Sequence, residues 1–361
     1  MNWNEAKLSS IALAITTVSA VILSGVWLLA DQRTQPRVAA EVSDDEPSGR
    51  ETLKALRPDS PAEVEGATGT SRRVDTGALT STWDVEFEQA DDYGKLLPRA
   101  IAAAASGDGR AAFTIARVNV ACAATYALVP REAPTVSRTD LEAAFEARQN
   151  ARSVQGVNGR VAARQRKKFE RCASIVTSGI YASLPGGKGD YYSFAYWSEE
   201  AIRLGDPGAM ADALPRVLSA AAELGDGDPA RKEKVVRAES YMRNVVHSGE
   251  PSALFSLGAT LVNNRYSDKP ERGLVLSVAA CELGLDCSDV AALVPSNVCA
   301  DMPEVCGPPI SYQDVLVRDV GSRQYARIYA DAQRVVDNVR RQDWSALTSY
   351  TQLDGTLRAS P

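Results

Sequence analysis

Cysteine is the residue type here whose spacing most directly implies chemistry, and the chain holds six. Cys281 and Cys287 stand six apart; Cys299 and Cys306 stand seven apart, among Pro295, Pro303, Pro308 and Pro309. That stretch is too irregular to read as a helix, and cross-links would staple it at about 2–4 kcal/mol each. Cys122 and Cys172 fall on separate predicted helices. The expected pairing is therefore Cys122 with Cys172, Cys281 with Cys287 and Cys299 with Cys306, one choice among several connectivities. A zinc site built from the last four is the competing reading, but zinc favours CxxC-like spacing, which is absent. Neither a metal nor a cofactor is expected.

Other reactive groups read as structural. The single histidine, His247, sits at a predicted helix end, where it would cap carbonyls; nothing around it marks a Ser-His-acid triad. Glu239-Ser240 matches the glutamate–serine pair of helical lytic transglycosylases, without the surrounding motifs. Glu199 and Glu200 are adjacent, so they diverge on a helix and cannot face each other as an acid–base pair. Pro185-Gly186-Gly187-Lys188-Gly189-Asp190 lacks phosphate-loop spacing and follows no strand. The aromatic group Tyr191-Tyr192-Ser193-Phe194-Ala195-Tyr196-Trp197 behind it reads as core, with a concave peptide or glycan surface as the alternative. Arg164-Gln165-Arg166-Lys167-Lys168 and Arg171 form a basic patch. With a net charge of −6, nucleic acid is not an expected partner; a solvated face, anionic headgroups or an acidic partner remain the readings.

The elements that would carry these groups begin with an anchor. After a short tail, 1–7, the run 8–30 contains no charged residue and is long enough to cross a hydrocarbon core of about 30 Å. A cleaved signal peptide is the rival, with Thr17-Val18-Ser19-Ala20 as its cleavage-site mimic, but signal cores are shorter. Lys7 before the run and Arg33 and Arg37 after it lean toward a cytoplasmic body. The even cysteine count leans the other way and is given more weight. The body is thus expected on the periplasmic or exterior side of the cell membrane, attached by a single pass. Residues 31–82 are polar, Pro- and Gly-bearing, and read as a disordered tether spanning about 40 Å. Its acidic run Asp44-Asp45-Glu46 reads as solvated charge.

Residues 83–361 form the body. Alanine is abundant, the helical period dominates and no strand series stands out, so the fold class is all-α. Helices are expected at 93–106, 110–128, 138–150, 162–180, 191–204, 209–224, 229–247, 252–264, 271–283 and 322–341. On the last of these, Tyr325, Ile328, Tyr329, Ala332, Val335, Val336 and Val339 share one face, with arginines on the rest. The segment 281–310 is the irregular Cys/Pro-rich part.

A local grammar recurs. An alanine-bearing helix ends at a glycine, an acidic residue follows, and a new helix starts: Gly107-Asp108, Gly205-Asp206 and Gly249-Glu250, with Gly284 closing the next unit. Glycine supplies the left-handed stop, and the acid suits the next helix N-terminus. Small residues such as Ala253 and Gly258 permit close helix approach. These residues, with Trp197, Leu257 and Gly258 at matching places, resemble the Sel-like repeat family, relatives of the tetratricopeptide repeats. The resemblance covers roughly 195–290, and the step from Gly249 to Gly284 fits it best. It implies a helical-hairpin, α-solenoid-like body that binds other proteins, and it implies no catalytic residue. The expected function is a membrane-anchored extracytoplasmic scaffold or adaptor of the cell envelope, not an enzyme. The alternative is a cell-wall-active enzyme or its accessory subunit.

Overall fold

A computed structural model describes residues 81–129, 135–153, 159–180, 191–263, 266–293, 310–353 and 357. Among them every regular element is helical: α1 (Thr82–Gln89), α2 (Tyr93–Ala105), α3 (Gly109–Tyr126), α4 (Arg138–Ser153), α5 (Gly159–Thr177), α6 (Tyr191–Arg203), α7 (Pro207–Ala222), α8 (Pro229–Ser248), α9 (Pro251–Val262), α10 (Glu271–Glu282), α11 (Val290–Leu293), α12 (Tyr312–Val320), α13 (Ser322–Arg341) and a closing 3-10 turn, Ser345–Tyr350. The all-α class follows. The apolar run 8–30, residues 31–80 of the tether, and Cys299 and Cys306 lie outside the described residues. Among the described residues no helix is long and apolar enough to cross a membrane.

The ten expected helices match observed ones to within a few residues at each end. Prolines open α7, α8 and α9, where a missing N–H costs nothing. The sequence pattern does not announce α1, α11, α12 or the 3-10 turn. The expected tether also runs one residue too far, since α1 starts at Thr82 with Ser81 capping the N–H of Trp83. Cys281, which the sequence places both in the expected helix 271–283 and at the start of the irregular segment 281–310, belongs to the last turn of α10. The apolar run Leu274–Ala280, buried throughout, carries the helix that far.

The described chain divides into two compact units, with the boundary at Ala209/Met210. In the first, α3 is the hub and packs against α1, α2, α5 and α6. Ala111, Ala112, Ile115, Ala116, Val118 and Cys122 are buried along it, so more than half of its circumference faces protein, while Val120, Ala123 and Ala124 stay exposed. Short alanine side chains let the surrounding helices close in. Phe145 of α4 and Phe169 of α5 stack at 4.3 Å. Leu97, Ile115 and Leu141 are fully enclosed, each contributing about 1.5–3 kcal/mol by burial.

In the second unit α9 and α10 form a tight antiparallel pair. A Cβ on Gly258 would fall 2.6 Å from the Gly273 carbonyl oxygen, and one on Gly273 would fall 2.5 Å from the Val262 nitrogen. Only two glycines allow backbones this close. Helix α13 lays Ile328, Ala332, Val335 and Val336 inward, as its periodicity predicts, and packs on α10, while α12 packs on α13. Tyr325 is half-buried and Tyr329 is 37% exposed at the margin of that face.

Candidate functional site

The glycine–acid turns are the residues singled out by the repeat grammar. Gly107, Gly205, Gly249 and Gly284 all adopt positive φ, at 99°, 87°, 64° and 112°. Three of them close the same way: the residue after glycine donates its N–H back across the turn, Asp108 to Ala103, Asp206 to Ala201 and Leu285 to Ala280. This is the six-to-one bond of a Schellman stop.

In the first unit the acids go on to cap the next helix. An Asp108 carboxylate oxygen accepts from Ala111 N at 3.0 Å, and one of Asp206 accepts from Ala209 N at 2.7 Å. The two turns abut, with Leu204 and Asp206 crowding the Cα of Gly109. Arg110 reaches across to Asp206 at 3.0 Å and approaches Asp84 at 3.7 Å. Trp83 Nε1 donates to Asp108 at 2.8 Å, and Arg117 pairs with Asp84 and Glu88. Asp206 is 4% exposed. Burial raises its pKa above the ordinary carboxylate value, and Arg110 and the Ala209 N–H pull it part of the way back.

The turn at Gly249 departs from that pattern. Glu250 makes no side-chain cap; its carboxylate accepts from the Ser252 hydroxyl instead. The side chain is one methylene too long to fold back onto its own helix start. Ala253, Leu257 and Gly258 are buried along α9. Trp197 is buried on α6, its indole N–H without an acceptor among the described residues.

The remaining candidates fall into structural roles. His247 does not serve as the helix cap. Gly249 stops α8 in the left-handed conformation, and the Ser248 hydroxyl donates to the Val245 carbonyl. The His247 imidazole instead stacks on Trp344 at 4.6 Å, and burial and Arg243 lower its pKa. Glu239 accepts the backbone N–H of Leu353 at 3.0 Å and so holds the C-terminal segment. Glu200 pairs with Arg203. Two arginines of the basic patch are engaged, while Lys167 and Lys168 are exposed. Arg166 pairs with Glu146 and Glu170. Arg171 donates to the carbonyls of Phe87 and Ala90, closing the end of α1, and lies 4.4 Å over Tyr93. Sequence spacing hides the use of Arg171 because its partners Ala90 and Phe87 are 81 and 84 residues away in the chain. Residues 181–190 lie outside the described residues.

Cys122 and Cys172 sit at disulfide distance, as do Cys281 and Cys287, which is compatible with cross-linking of both pairs. The first joins α3 to α5. The second closes a short loop whose continuation is tied down by Tyr312 N donating to Cys287 O and Val290 N donating to Ile310 O, both at 2.9 Å. Among the described residues no group of three or more His, Cys, Asp or Glu side chains is arranged to hold a metal ion. No family model matches the chain, and no curated protein or solved structure matches it either.

Proposed function

We propose that this chain is a membrane-tethered, extracytoplasmic scaffold whose helical-hairpin body binds other proteins. The observation that carries the reading is the recurrence of one turn chemistry: left-handed glycine at 107, 205, 249 and 284, each ending a helix at a tight turn. That recurrence, with the close α9–α10 pair, supports the resemblance to Sel-like repeats. The tether rests on the apolar run 8–30 of the sequence. The side on which the body lies rests on the cysteines, two pairs of which stand at bonding distance.

Against the alternative, a cell-wall-active enzyme, stands the hydrogen bond that Glu239 accepts from the Leu353 backbone. Crosslinking in intact cells followed by identification of the partners tests the scaffold: recovery of a stoichiometric partner is expected. Murein turnover that disappears in Glu239→Gln would replace this reading with the enzymatic one. Thiol titration of the unfolded, unreduced protein tests the compartment, with no free thiol expected; six would place the body in the cytosol.

A further inference from the structure

We infer that the outward face of α13 is a docking strip for an acidic helix of a partner protein, read through an arginine ladder. The inference rests on the scaffold reading and adds the chemistry of the partner. Helix α13 carries Arg323, Arg327, Arg334, Arg340 and Arg341 and no lysine. At 3.6 residues per turn, Arg323, Arg327, Arg334 and Arg341 lie within about 40° of one line along the helix. That line is opposite Ile328, Ala332, Val335 and Val336, which are buried, and the four arginines on it are all exposed.

Arginines of the first unit are engaged: Arg99, Arg110, Arg117, Arg138 and Arg166 in ion pairs, Arg171 on backbone carbonyls. On the ladder only Arg334 forms an ion pair among the described residues, with Asp331. Arg341 lends its field to Asp343 without closing a pair. The strip therefore holds a run of exposed guanidinium groups with unused bidentate capacity for carboxylates.

Its spacing selects the occupant. Arg327, Arg334 and Arg341 repeat every seven residues, or about 10 Å. A second helix lying alongside returns the same face at that interval. Ala326 and Ala330 are exposed within the strip and leave room for such a helix to come close. The neighbouring surface is not uniformly basic. Asp337 interrupts the ladder, while Glu271 and Glu282 of α10 flank it, accepting from Gln324 and from Tyr329 and Gln333. A fixed pattern of both signs favours a partner in register over a uniformly anionic surface such as a lipid bilayer.

The test uses the full chain in uncharged detergent, with a photo-crosslinking residue at Ala330. The probe is a synthetic helix bearing glutamates at seven-residue spacing. Crosslinking is expected to exceed that of the same glutamates permuted to another spacing, and to fall as salt is raised. The variant Arg327→Glu/Arg334→Glu/Arg341→Glu, its helicity checked by circular dichroism, should lose at least fivefold of the yield. It should recover that yield with a probe carrying lysines in place of the glutamates. Indifference to the reversal, equal capture of the permuted probe, or equal competition by vesicles rich in anionic lipid would overturn the proposal. Partner recovery in cells that survives this failure leaves the scaffold and removes the ladder; a working charge swap with no cellular partner does the reverse.

Discussion

Gly258 and Gly273 meet across the α9–α10 crossing with no room for a side chain on either: a Cβ on Gly258 would stand 2.6 Å from the Gly273 carbonyl oxygen. The obstacle is backbone, which cannot rotate aside, so the helices must separate to admit a methyl group. Leu257, Leu261, Leu274 and Val278 are buried along the same pair and would lose packing together. Gly258→Ala is expected to cost about 1–3 kcal/mol, the range of core overpacking. Ser256→Ala, on the exposed side of the same helix, should change stability by no more than about 0.5 kcal/mol. Urea unfolding of both variants decides it; equal midpoints would mean that the crossing is not as tight as described.

The left-handed stops make a ranking. Gly107, Gly205 and Gly284 have open space where a Cβ would go, whereas at Gly249 it would lie 2.6 Å from Val339 Cγ1 of α13. Alanine at Gly205 thus meets only the backbone penalty of a left-handed residue, about 1–2 kcal/mol. At Gly249 it meets that penalty and displaces a packed helix, so the loss should be clearly larger. Thermal melts of Gly205→Ala and Gly249→Ala give the order, and the reverse order would refute it. Gln342 offers the complementary change, since it sits at φ 57° without being glycine. Gln342→Gly should be neutral or stabilise by up to about 1 kcal/mol.

How much of this can be read from the residues depends on the range of the interaction. Helix ends at Gly205, Gly249 and Gly284 are legible because the glycine and the groups it satisfies are within six residues of each other. The inward face of α13 is legible for the same reason: periodicity is local. The short, highly charged α1 is not. It buries no residue fully, and its end is satisfied by Arg171, whose chain distance to Ala90 is 81 residues. Likewise His247 reads as a cap because nothing nearby in sequence announces Trp344. The roles of Glu239 and Arg171 come from tertiary partners, and no spacing rule contains them.

Among the described residues of the first unit Asp206 and Arg110 form the most enclosed ion pair, with side chains 2% and 12% exposed. Removing the arginine would leave a carboxylate in a dry site, so Arg110→Met should cost about 3 kcal/mol at neutral pH. The pH dependence has a definite sign. Burial raises the folded pKa of Asp206 above its unfolded value, so the folded state holds the proton more tightly, and the contribution of this group to stability falls as pH rises through that window. Asp206→Asn mimics the protonated form. The stability of Asp206→Asn minus that of the native protein should therefore grow between about pH 4 and neutrality, measured by chemical denaturation. A difference that shrinks with rising pH would contradict the burial of this carboxylate.

His247 gives the opposite sign and a clean observable, because it is the only histidine in the chain. Its ring stacks on Trp344 at 4.6 Å, while burial, and then Arg243, lower its pKa from the ordinary value of 6.5. The unfolded chain then takes up the proton first. The stabilising contribution is complete above the unfolded pKa and is lost as pH falls through the folded one. Acidification from about pH 7 to about pH 5 should lower the stability of the second unit and alter Trp344 emission as the imidazolium forms against the indole. In His247→Gln, which keeps a polar planar group but does not titrate, both responses should disappear while the neutral-pH fold persists. Titration of the imidazole by proton NMR reports the pKa directly, and a value at or above the ordinary 6.5 would show that the stack does not exclude water from the ring.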